Sequence, residues 1–221
     1  MCFTNSFYFF SQSGKSTKIV QLVKDSAEIF DSDFTSVLYV SPLALSHDNI
    51  FVNELEQTTI KSGKTFVCLN EIPKQDILED YTQGERLLLI LDDFMCFKEL
   101  DGNYLVRLSS LLSHHLKFSV AWCMQNPFQQ GKIDLVSISR NATFRFVLYQ
   151  RNDWYLYSLL NRQIFPDRKK FILNCLEEAE KHNLNYICIN SHPRSDLPRK
   201  YMCYTGIFNG EVQKGPLVFE L

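Results

Sequence analysis

Seven consecutive residues, Ser11-Gln12-Ser13-Gly14-Lys15-Ser16-Thr17, follow an apolar run and precede a helical pattern. Their types suit phosphate capture. Gly14 lets the backbone turn closely around an anion, and the next amides and helix N-terminus present donors and positive dipole. Lys15 can neutralise terminal phosphates, and the Ser16 hydroxyl can reach Mg²⁺. The alternative is an ordinary helix cap. The first glycine of the pattern G-x-x-x-x-G-K-[ST] falls at position 9, where this chain has Phe9. A side chain at a turn that needs glycine is expected to strain the backbone by about 1–3 kcal/mol and weaken nucleotide binding. The same phenylalanine is expected to bury its ring under the sheet.

A second constellation is the apolar run Leu87 to Leu91 ending in Asp92 and Asp93. A buried strand of this kind delivers a carboxylate to its end, where Asp92 could hold Mg²⁺ through water and Asp93 could orient or deprotonate an attacking water. The alternative is a solvated turn at a strand end. Downstream, the run Ser119 to Met124 ends in Gln125 and Asn126. Gln125 could sense a γ-phosphate or hold the nucleophilic water; a turn at Asn126-Pro127 explains the same residues without chemistry. His114 and His115 fall at the end of a predicted helix, where imidazoles suit the negative end of the dipole. Adjacent helical residues diverge by about 100° and share a metal poorly.

The elements that must hold these residues alternate along the chain. Predicted strands cover 3–10, 36–40, 65–69, 86–91, 118–124, 143–149 and 185–190, mostly continuous apolar runs of the kind buried on both faces. Predicted helices cover 15–30, 48–61, 104–115, 155–163 and 168–183. The alternation predicts an α/β fold with a mostly parallel central sheet flanked by helices, which places both motifs at one end of the sheet. A single domain is expected over 1–221, with 191–221 less regular because Pro193 and Pro198 interrupt it.

The 221 residues suffice for a large core without disulfides, and 45% hydrophobic with 22% charged residues describe a globular chain. A net charge of −2 gives no global attraction to nucleic acid. Any DNA contact would need local clusters, of which Arg168-Lys169-Lys170 and 194–200 are candidates against the alternative of a solvated face. No apolar run approaches the ~20 residues that span a bilayer. The N-terminus lacks the features of a signal peptide, so an intracellular location, cytoplasm or nucleus, is expected. Seven cysteines without a C-x-x-C pair predict buried free thiols.

Taken in order, several segments resemble the FtsK-HerA class packaging ATPases of Polinton (Maverick) elements and related adenovirus-like and poxvirus-like DNA viruses. They are Ser11 to Thr17, Leu69 to Pro73, Ile90 to Met95, Ser113 to His115 leading to Ser119 and Val120, and Gln125 to Phe128 before Gln130 to Lys132. Ser137 to Ala142, Gln163 to Pro166 and the run at Tyr186 add to the resemblance. It implies a P-loop NTPase fold of the ASCE (RecA-like) type that binds ATP and Mg²⁺ and drives double-stranded DNA into a capsid. It further implies a homo-oligomeric ring, a hexamer, working beside capsid proteins. By the same resemblance Lys15 and Ser16 take nucleotide and metal, Asp92 the metal, Asp93 the catalytic carboxylate and Gln125 the sensor role. Arg107 and Arg140 are candidates for an arginine supplied between subunits. Two other functions remain open on the residues: a catalytically silent interaction subunit, motivated by Phe9, and a soluble P-loop kinase.

Overall fold

A computed structural model describes residues 6–10, 14–30, 33–46, 49–83, 86–126, 128, 133–191, 203–212 and 215–219. In chain order the elements are β1 (Ser6–Phe10), α1 (Lys15–Lys24), α2 (Ser26–Ile29), β2 (Ser36–Val40), α3 (Ile50–Lys61), β3 (Thr65–Leu69), α4 (Gln75–Thr82) and β4 (Leu87–Asp92). There follow α5 (Gly102–Arg107), α6 (Ser113–Leu116), β5 (Ser119–Met124), α7 (Leu135–Arg140), β6 (Phe144–Leu148), α8 (Trp154–Ile164), α9 (Phe171–Lys181), β7 (Tyr186–Asn190), β8 (Cys203–Thr205) and β9 (Leu217–Phe219).

The strands form one sheet in the order β3-β2-β4-β5-β1-β6-β7-β8-β9. Pairing is parallel from β3 across to β6 and antiparallel from β6 to β9. β5 lies between β1 and β4, so the two motif-bearing strands are not neighbours. The α/β class expected from the sequence, with a mostly parallel central sheet flanked by helices, is the one observed. The apolar runs explain it: β2 and β5 are buried at every position, as strands covered on both faces must be.

Two cores cover the faces. On one, Ile19, Leu22 and Val23 of α1 and Leu55 of α3 pack on Val37, Ile90 and Ala121. On the other, Leu78, Leu108, Leu160 and Leu176 pack on Leu38, Leu89 and Val120. Among the described residues no helix is long and apolar enough to cross a membrane.

Several boundaries differ from the pattern-based ones for local reasons. The helix expected over 15–30 is interrupted at Asp25, whose carboxylate accepts hydrogen bonds from the Asn209 amide and side chain. The helix expected over 104–115 starts at Gly102, because Asp101 caps the amides of Asn103 and Tyr104, and it opens into a π turn at Leu108–Leu112. There the hydroxyls of Ser109 and Ser110 both donate to the Val106 carbonyl, competing with the helical ladder. Helix α4 escaped the sequence pattern because it buries only Leu78. Within 191–221, β8 and β9 extend the sheet, while Pro193 and Pro198 lie outside the described residues.

Candidate nucleotide site

Strand β1 ends at Phe10, and α1 begins at Lys15 after Gly14. Gly14 has φ +87°, a left-handed backbone that glycine adopts without strain. A Cβ on it would approach Asn185 Nδ2 and Leu148 Cδ2 to 3.1 Å, so a side chain at position 14 would also have to push both neighbours aside. The first helical bond, Lys18 N to Gly14 O, leaves the amides of Lys15, Ser16 and Thr17 at the open end of the helix. Ser16 and Thr17 are exposed, whereas Lys15 is 9% exposed. Among the described residues Lys15 enters no ion pair. Ser11, Gln12 and Ser13 lie outside the described residues.

Register brings the acids to the same edge. Asp92 pairs with Cys123 and Phe10 with Met124, so Asp92, Gln125 and the chain leaving β1 stand at the carboxyl ends of three adjacent parallel strands. Asp92 is half-buried, with Tyr39 Oη donating to its Oδ2 at 3.0 Å and the Asp93 amide donating to its Oδ1 at 3.1 Å. Burial, then the Asp93 charge, pushes the Asp92 carboxyl above the usual carboxylate range; the Tyr39 hydrogen bond, the Lys15 ammonium and the Asp93 amide oppose that rise. Lys15 is therefore near enough to act on Asp92 electrostatically. Asp93 adopts a left-handed backbone at φ 46°, turning the chain out of β4 into a short 3₁₀ turn at Phe94–Cys96, with its side chain exposed. Asp tolerates this conformation better than most residues. Gln125 is exposed directly beyond β5.

Among the described residues no group of three or more His, Cys, Asp or Glu side chains could hold a metal unaided. The Asp92 carboxylate and Ser16 hydroxyl instead suit Mg²⁺, a hard cation commonly held by one or two carboxylates together with substrate phosphates.

Phe9 corrects the expectation of a strained turn. It is an ordinary β1 residue in register with Cys123 and Phe146, without a positive φ. Its ring is fully buried and stacks on Phe146 with centroids 4.8 Å apart, so the expected aromatic burial is observed.

The structure places the remaining candidates away from chemistry or at the surface. His114 and His115 end α6, as expected, and are exposed. Arg107, Arg140 and Arg168 to Lys170 are also exposed; 192–200 lies outside the described residues, including the basic cluster there. Cys123, Cys175, Cys188 and Cys203 are buried free thiols, whereas Cys96 is exposed. Tyr39 went unnoticed in the sequence; its only signal was one hydroxyl within an apolar strand that ends at the motif edge.

No family model and no curated protein sequence matches the chain. Among solved structures it is similar to the genome packaging NTPase B204 from Sulfolobus turreted icosahedral virus 2 in complex with sulfate, at 11% identity over 85% of this chain and 91% of that one, TM-score 0.47. The same protein in complex with AMPPCP gives 12% identity over 85% and 92%, TM-score 0.47. The ATP synthase subunit NeqB from Nanoarcheaum equitans gives 11% identity over 81% and 58%, TM-score 0.43. Similarity of this size assigns no role to any residue here, and the roles proposed below follow from this chain's own side chains and motifs.

Proposed function

We propose that this chain is a P-loop ATPase that binds ATP and Mg²⁺ at the α1 N-terminus and couples hydrolysis to double-stranded DNA translocation, as in packaging a genome into a capsid. The observation that carries nucleotide binding is Lys15. A buried ammonium without an ion pair among the described residues, at an open helix N-terminus, is a poor arrangement by itself and a good one for phosphate. In this proposal the amides of Lys15 to Thr17 cradle phosphate oxygens, and Ser16 and Asp92 hold the metal ion. Bound Mg²⁺ would neutralise charge developing on the transferred phosphoryl group. Asp93, on its exposed turn, would orient or deprotonate water, and Gln125 would hold that water or sense the phosphate.

The DNA and ring components rest on the motif order shared with packaging ATPases. Arg107 and Arg140, both exposed, are available to a neighbouring subunit, and Lys169 and Lys170 to DNA phosphates. Radiolabelled ATP turnover with and without duplex DNA tests the proposal. DNA-stimulated hydrolysis that disappears in Lys15→Ala is expected. No turnover in the parent would remove the ATPase, and turnover of a small-molecule acceptor indifferent to DNA would identify a kinase instead. Charge reversal of Lys169 and Lys170 should flatten the salt dependence of DNA binding; an unchanged slope returns them to solvent.

A further inference from the structure

Asp92 is held at both oxygens, and one of the two donors comes from a different strand. The Asp93 amide is fixed by sequence adjacency, but Tyr39 reaches Asp92 from β2, which pairs with β4 in the register Tyr39 to Ile90. The tyrosine ring cannot follow a moving partner: it is 1% exposed and meets Phe51 edge-on at 5.6 Å.

We infer that Tyr39 is a positioning residue for Asp92, holding its carboxylate in the orientation that a nucleotide-bound divalent cation would meet. This inference rests on the nucleotide site proposed above. Groups that orient a metal-binding carboxylate typically contribute roughly 10- to 100-fold to metal affinity.

Calorimetric titration with a non-hydrolysable ATP analogue, with and without Mg²⁺, tests it in the parent, Tyr39→Phe, Asp92→Asn and the double variant. Phenylalanine keeps the ring, and a thermal midpoint measured beside each titration verifies that the fold persists. In Tyr39→Phe the gain in affinity produced by Mg²⁺ should fall roughly 10- to 100-fold, and on the Asp92→Asn background the same substitution should change nothing further. An undiminished gain in Tyr39→Phe overturns the inference, as does an equal loss on the Asp92→Asn background. A parent that gains nothing from Mg²⁺ removes the nucleotide site itself, and the inference with it.

Discussion

Lys18 and Glu211, 193 positions apart in sequence, form a buried ion pair that fastens the turn after β8 onto α1. Their side chains are 8% and 10% exposed. Glu211 also accepts from Tyr186 Oη at 2.6 Å, and Lys18 Nζ lies 4.3 Å from the centre of the Tyr186 ring. Removing one partner of such a pair leaves a buried charge uncompensated, so Glu211→Ala should destabilise the fold by about 3–5 kcal/mol in urea unfolding. The exposed pair Lys181–Glu178 serves as a control, since Lys181→Ala should leave the midpoint in place. Equal effects of the two substitutions would refute a structural role for the buried pair.

Phe9→Gly should unfold more readily by roughly 3–5 kcal/mol, the range for removing a large aromatic from a core. It should not improve nucleotide affinity, because the ring lies against Phe146 in regular strand geometry and no strain exists for glycine to relieve. Denaturation and calorimetry on the same variant separate the two effects. Tighter binding in the variant would restore the idea that position 9 belongs to the turn.

Asp93→Asn should retain Mg-ATP binding and lose turnover by about 10²-fold or more, as expected for a group that handles the proton of attacking water. Asp92→Asn should instead weaken the dependence of binding on Mg²⁺. The two acids are adjacent, yet Asp92 is half-buried and held at both oxygens while Asp93 is exposed on a left-handed turn. Identical phenotypes would deny this division of labour.

Native thiol labelling at pH 8 should modify Cys96 ahead of the other described cysteines. Burial pushes the Cys188 thiol up to about 12 and raises Cys123 and Cys203 well above the ordinary value, leaving little thiolate. Cys68, half-buried, is raised by burial and then by Glu56, and should react slowly. Peptide mapping before and after denaturant reads the order; early modification of Cys188 would contradict its burial.

The five-residue strands β2 and β3 were legible to the residue as short apolar runs, although only β2 is buried at every position and β3, at the sheet edge, is at most partly buried. The same property announced β4 and β5, and with them the positions of Asp92 and Gln125 at strand ends. Short elements left no such trace: α4 buries a single leucine, and β8 and β9 are three residues each, below the length at which periodicity speaks. The sequence by itself thus determined the α/β class, the parallel strands and the local composition of both motifs. Only the tertiary structure decided that β5 separates β1 from β4, that Tyr39 holds Asp92 and that Glu211 reaches Lys18. Those relationships join residues far apart in the chain, and they depend on strand order and register, which local pattern does not encode.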